Sequence, residues 1–212
     1  ETVERLIMTA TYINLPVGAV VLAAGESRRM GQSKVVLPWG QTTVIGHIAE
    51  ALLASGISEI RVVTGSGRDK VEKALSRLLI QTVYNPDYAN DDMAFSLGAG
   101  LTAFGENIQA ALVVLGDQPQ IEIGTVNTLL ETYLTTPHPL IVPSYQHRRG
   151  HPWLVARGLW AELMAIELPA TLRDFLNIHA DRIHYVNIKS PGILKDMDTP
   201  DDYARERPPE FT

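Results

Sequence analysis

VGAVVLAAGESRRMGQSKVVLPWG, residues 17–40, is the stretch from which the rest of the chain can be read. Val17 to Ala24 is an apolar run broken only by Gly18. A short, β-branched, unalternated run of this kind predicts a strand covered on both faces. The run stops at Gly25, and a polar loop follows with Glu26, Ser27, Arg28, Arg29, Gly31, Gln32, Ser33 and Lys34. Ala23, Ala24 and Gly25 leave room for a ligand to lie against bare backbone. Backbone N–H groups in such a turn can cradle phosphate oxygens. Arg28, Arg29 and Lys34 add positive charge suited to a polyanion. Gly25 and Gly31 do not form G-x-G-x-x-G, and no Gly-Lys-Ser/Thr closes the loop, so neither common nucleotide fingerprint is present. On charge and glycine alone, an exposed basic loop after a core strand is the competing reading.

The 212 residues suffice for one sizeable core. The chain is 45% apolar and 20% charged, as in an ordinary globular protein. A net charge of −6 offers no global field for nucleic acid or an anionic membrane. The absence of cysteine excludes disulfides, thiolate metal sites and a cysteine nucleophile, and it fits a cytoplasmic protein. Of the six histidines only His147/His151 and His179/His184 lie close together, with no cysteine beside them, and zinc is not expected. No apolar run reaches the ~18–20 residues of a membrane span. Residues 1–16 have no basic leader or cleavage signal and are expected to be an irregular extension, with one domain over residues 17–207.

Further along, Thr42 or Thr43 is expected to cap a helix with the stripe Val44, Ile48, Ala51, Leu52, ended by Gly56. Ile60 to Thr64 reads as a second buried strand, Asp69 to Leu79 as a helix, and Thr82 to Tyr84 as a strand. A polar loop from Asn85 precedes a helix over Met93 to Phe104. Ala110 to Leu115 is the clearest buried strand, and it ends in Gly116-Asp117-Gln118-Pro119. A helix over Gly124 to Leu134 and a strand over Leu140 to Pro143 follow. Ser144 to Leu154 reads as a polar connection or hairpin. Helices near Leu159 to Ile166 and Thr171 to Ile178, a strand over Ile183 to Ile188, and a last helix over Asp201 to Arg207 complete the chain. The alternation predicts an α/β fold with one doubly wound, mostly parallel sheet and helices on both faces. Ligand loops then lie at the carboxyl ends of the strands.

Asp117 falls where a buried strand meets such a loop. It can be a turn aspartate before Pro119, or a ligand for Mg2+, which takes one or two carboxylates plus substrate phosphates. Asp196 and Asp198 lie two apart, so on an extended segment they point the same way. The competing role there is an acidic turn in which Thr199, Asp201 and Asp202 cap the last helix. Lys34, as a loop lysine, is expected to add little to stability.

The string L-A-A-G-x-S-R-R-M-G-x-x-K, from Leu22 to Lys34, resembles the signature of the MobA-like nucleotidyltransferases, most nearly the molybdenum cofactor cytidylyltransferase branch. The resemblance continues in the same order through G-D-Q-P (Gly116–Pro119), R-G-H-P (Arg149–Pro152) and D-M-D-T-P-D-D-Y (Asp196–Tyr203). It implies a Rossmann-like nucleotidyltransferase that moves CMP from CTP to the phosphate of a molybdopterin-type cofactor and releases pyrophosphate. A molybdenum enzyme is the implied recipient. Lys34, Asp117 and Arg28 would be catalytic. Leu22, Ala23, Ala24, Gly25, Arg28, Lys34, Thr64, Asn85 and Ser96 would bind the nucleotide. Arg149 and His151 would face the acceptor. Asp117 and Asp198 would hold Mg2+, with Asp196 in reserve. Asp92, before Met93, stands where the family commonly has glycine. The alternatives are a sugar-phosphate or GTP-using nucleotidyltransferase on the same scaffold, or a non-catalytic cofactor-binding accessory protein.

Overall fold

A computed structural model describes residues 15–27, 30–90 and 93–209. Arg28 and Asp92, and residues 1–14 of the expected extension, lie outside the described residues. Val17–Ala23 forms β1. A two-stranded ribbon of β2 (Pro38–Trp39) and β3 (Thr42–Thr43) follows the polar loop. Helices and strands then alternate through α1 (Val44–Ala54), β4 (Ile60–Thr64), α2 (Arg68–Leu75) and β5 (Gln81–Tyr84). They continue through α3 (Met93–Thr102), β6 (Ala110–Leu115), α4 (Ile123–Thr135) and β7 (Leu140–Tyr145). The chain ends with β8 (Arg148–Arg149), β9 (Trp153–Ala156), α5 (Trp160–Met164), α6 (Leu172–Ile178), β10 (Ile183–Asn187) and α7 (Pro200–Glu206).

The main sheet runs in the order β10-β7-β9-β6-β1-β4-β5, with β8 attached to β7. β1 pairs in parallel with β4 on one side and β6 on the other. The chain thus leaves β1 in one direction and returns to its opposite side. The crevice at the carboxyl ends of β1 and β6 is the switch point where open sheets bind ligands.

Alternate residues of β1 face opposite layers. Val17, Ala19 and Val21 pack with Ile45, Ile48 and Leu52 of α1, Val71 of α2 and Leu129 of α4. Val20 packs with Leu97 and Leu101 of α3, Leu163 of α5 and Phe175 of α6. Both faces are covered, which explains the unalternated strand runs. Among the described residues no helix is long and apolar enough to cross a membrane.

Local signals act as the residues imply. The Thr43 side chain accepts from Gly46 N at 3.1 Å and caps α1. Gly56, at φ +83°, ends it, with Gly56 N donating to Leu53 O and Ile57 N to Leu52 O, the paired bonds of a Schellman turn. Thr199 and Asp202 form a capping box on α7, with Pro200 in its first turn.

Two readings need correction. α2 ends at Leu75, short of the expected Leu79, because Val71 and Leu75 are its buried anchors and Leu79 is fully exposed. The stretch from Ser144, read as a polar connection or hairpin, does hold a hairpin but also runs on into a sheet strand. Gln146 and His147, at φ 49° and 64°, make the two-residue turn of a β7–β8 hairpin. Trp153–Ala156 then enters the main sheet as β9, antiparallel to both β6 and β7.

Helix α3 lies close to the sheet at Gly100, where a Cβ would stand 3.0 Å from Val63 Cγ2 and nearer still to Val20. Two residues earlier, a Cβ on Gly98 would meet only the Met164 side chain, at an ordinary 3.4 Å. Gly98→Ala should therefore raise stability by about 0.5–1 kcal/mol through helix propensity and reduced unfolded-state entropy. Gly100→Val should lower it by at least ~1–3 kcal/mol through overpacking. Urea denaturation of both variants checks the pair; shifts of the same sign would contradict this packing.

Candidate active site

The site begins where β1 runs out. Ala24, Gly25, Glu26 and Ser27 turn away from the strand, with Ser27 in the left-handed region at φ 52°. Its Oγ accepts from Lys34 N at 3.1 Å, which closes the loop and presents the lysine at the start of a short 3-10 turn, Lys34–Val36. On the neighbouring strand, Gly116 N donates to Leu22 O at 3.0 Å. A Cβ on Gly116 would press to 2.7 Å from that same carbonyl, so only glycine allows β6 to deliver Asp117 this close to β1.

The third contributor is the segment before α7. Met197 is fully buried, and its N–H donates to Asp117 O at 3.2 Å. With Met197 turned into the core, Asp196 and Asp198 point the other way, towards the cleft. Lys34 Nζ donates to Asp117 Oδ2 at 2.5 Å and to Asp198 Oδ1 at 3.0 Å. Both carboxylates therefore reach one atom. Burial, the largest influence, disfavours the charged lysine, but the two carboxylates together outweigh it and hold its pKa above the usual value. Gln118 Nε2 donates to Asp196 Oδ1 at 2.5 Å.

These groups edge an open cleft of about 590 Å3. Leu22, Ala23, Ala24, Gly25, Lys34, Ser96, Asp117 and Asp198 all line it, as does the reserve acid Asp196. Thr64 and Asn85 lie behind its wall. Thr64 is fully buried with its hydroxyl 3.5 Å from Val83 O. Asn85 Nδ2 donates to Ser96 Oγ at 3.0 Å, so this residue acts on the cleft through Ser96. Arg149 and His151 are not in the lining. Arg149 donates to Tyr185 Oη at 2.9 Å and Asn177 Oδ1 at 2.7 Å. His151 lies against the Val113 carbonyl at 3.5 Å, and burial, the main cause, pushes its pKa below the usual value.

Met30, Val35, Tyr88 and Met93 also line the cleft, and sequence reasoning missed them. A signal existed for Tyr88 in Gly65, where a Cβ would strike the Ala24 carbonyl and stand 2.7 Å from Tyr88 Cβ. Such a glycine marks a close approach between chain segments.

Among the described residues no cluster of three or more metal-ligating side chains occurs. Asp117 and Asp198 nevertheless fit a hard divalent ion, which takes one or two carboxylates and completes its shell with substrate phosphates and water. That both reach one ammonium nitrogen places them within the span of a single cation.

A doubly wound sheet whose switch-point loops bring bare backbone, a lysine and paired acids to one open cleft is the layout of a nucleotidyltransferase. Residues 19–183 match the family model described as the MobA-like NTP transferase domain, and the chain belongs to that family. It is 32% identical to a molybdenum cofactor cytidylyltransferase of Escherichia coli, over 90% of this chain and 96% of that protein. It is also 28% identical to a nicotine blue oxidoreductase of Paenarthrobacter nicotinovorans, over 86% and 92% of the two chains. A solved nucleotidyl transferase from Methanothermobacter thermautotroptrophicus superposes with TM-score 0.77 at 26% identity, covering 90% of this chain and 95% of its own. Rv0371c from Mycobacterium tuberculosis, solved in complex with manganese, gives TM-score 0.74 at 25% identity, covering 89% and 96%.

The sequence expectation that Lys34 adds little to stability is revised by its placement. Replacing it removes the ammonium that both carboxylates contact. Lys34→Met should cost about 1–3 kcal/mol, less than the ~3–5 kcal/mol of a fully buried pair. The reduction reflects solvent screening, since Asp117 is 21% and Asp198 33% exposed. Thermal unfolding without ligands checks this, and an unchanged Tm would mean that the ion pairs do not form.

A second expectation concerns acid. His151 binds a proton less readily folded than unfolded, so the stability it contributes is complete above its unfolded pKa of about 6.5 and is lost as pH falls below it. His151→Gln should remove that part of the decline. Tm measured from pH 7.5 down to pH 5 tests it, and parallel curves for the two proteins would contradict it.

Proposed function

We propose that this protein transfers CMP from CTP to the terminal phosphate of a molybdopterin-type cofactor. The observation that carries the reading is the convergence of Lys34, Asp117 and Asp198 beside the bare Ala24–Gly25 turn. The relative named molybdenum cofactor cytidylyltransferase supports it along nearly the full length of both chains. An oxygen of the acceptor phosphate attacks the α-phosphorus of CTP. The bond from that phosphorus to the bridging oxygen breaks, and pyrophosphate leaves with the electron pair. No protein nucleophile is needed; orientation and charge stabilisation supply the catalysis.

The chain's own groups divide this work. Backbone N–H groups of the turn after β1 hold phosphate oxygens. Lys34 exchanges its carboxylate partners for phosphate as the triphosphate enters. Asp117 and Asp198 would hold Mg2+, which when bound neutralises charge on the phosphates. Arg28 adds a further cation on the same loop. Arg149 has N–H groups beyond the two it gives to Tyr185 and Asn177, and we assign it to the acceptor. The product would pass to a molybdenum enzyme, and the cytoplasm is the compartment this reading expects.

Preference for the base falls to Ala24, which is buried to 6% exposure and lines the cleft. Its methyl takes space that a purine needs and a pyrimidine does not. One methyl is worth only ~1–3 kcal/mol of discrimination, so preference for CTP is expected and absolute exclusion of GTP is not. Pyrophosphate release from CTP and GTP in competition, with the molybdopterin acceptor present, tests the reading. Wild type should favour CTP, Ala24→Gly should narrow the gap, and Asp117→Asn should be folded and inactive. Equal or better use of GTP by wild type would remove the cytidylyl assignment.

A further inference from the structure

Gln118 has no part in the chemistry above, yet its side chain is buried at 7% exposure immediately beside Asp117. Its Nε2 donates to Asp196 Oδ1 at 2.5 Å. A carboxylate can only accept, so the amide's donor end must face Asp196. The next residue, Met197, is buried with its N–H on the Asp117 carbonyl at 3.2 Å. The loop after β6 therefore grips the segment before α7 at two successive residues, once through a side chain and once through backbone. Asp198 follows directly, and its carboxylate meets the same lysine as Asp117.

We propose that Gln118 and Asp196 are positioning residues that set Asp198 against Asp117 so that both can serve one divalent cation. This rests on the metal reading given above. Three carboxylates at one sheet edge repel one another and would splay if left free. Lys34 restrains Asp117 and Asp198. Gln118 occupies Asp196, satisfies it with a neutral donor, and so keeps it from competing as a ligand. Partners of this kind behind a metal site change metal affinity by about 10–100-fold when removed.

The test exchanges donor for acceptor. Gln118→Glu sets two carboxylates face to face and should raise the Kd for Mn2+ together with CTP about 10–100-fold, measured by water-proton relaxation at neutral pH. Asp196→Asn still offers a carbonyl oxygen to Gln118 and should lose far less. The double variant Gln118→Glu with Asp196→Asn reverses the hydrogen bond, Asn donating to Glu, and should recover most of the affinity lost in Gln118→Glu. A purely packing role would show no such recovery. Wild-type affinity in Gln118→Glu, or a double variant no better than Gln118→Glu alone, overturns the proposal. A loss in Asp196→Asn as large as in Asp117→Asn also overturns it, by making Asp196 a ligand. Asp117→Asn is the reference: if it retains wild-type affinity, the metal reading itself fails, and the positioning role falls with it.

Discussion

Two carboxylates from distant parts of the chain can share one corner of a folded protein only if something positive stands between them. Here it is the Lys34 ammonium, 83 residues from Asp117 and 164 from Asp198 in sequence. Burial alone would push this lysine towards its neutral form; the acids reverse that and keep it charged. The pairing joins all three groups, because one ammonium contacts both carboxylates. The loop after β1, the loop after β6 and the segment before α7 are thereby tied into one rigid edge.

That edge also demands that backbones approach closely, which explains where glycine is needed. Gly116 brings β6 against the Leu22 carbonyl, and Gly65 lets the chain after β4 pass the Ala24 carbonyl and Tyr88. A single methyl at either place would push the β1 turn out of line. Gly100 does similar work one layer down by seating α3 on Val20 and Val63. The cleft wall formed by Ser96 of α3 consequently has a set distance from the β1 turn, and Asn85 holds the Ser96 hydroxyl from behind.

Much of this was legible in the sequence. β1 and β6 announced themselves as unalternated apolar runs because both faces are covered, and Thr43, Gly56 and Thr199 marked helix ends through local chemistry alone. The ends of two adjacent parallel strands pointed to Asp117 and the Gly25–Lys34 loop as neighbours. β9 was not legible, since four residues after a polar R-G-H-P stretch carry no periodicity, and their place between β6 and β7 comes from long-range pairing. The double ion pair of Lys34 was hidden for the same reason: a loop lysine looks solvated until the fold brings acids to it. Thr64 and Asn85 were expected to bind the nucleotide, yet both are buried and neither lines the cleft.

The fold does not by itself specify the reaction, because relatives of this chain at comparable coverage are named for nucleotidyl transfer and for oxidation–reduction. Discrimination has to come from the charged edge. A bare triphosphate approaching Asp117, Asp196 and Asp198 meets three carboxylates, and Lys34 is already shared between two of them. On the reading proposed above, a nucleotide that arrives with a divalent cation meets the opposite situation. Asp117 and Asp198 would hold that cation, and Lys34 would then be available to the phosphates. Each exchange alone would break the contacts that Lys34 makes with the two acids without replacing them. On that reading the acids would favour a cation-bearing nucleotide over a bare one, and the simultaneous exchange would tie nucleotide recognition to the geometry of three loops rather than to the sheet that carries them.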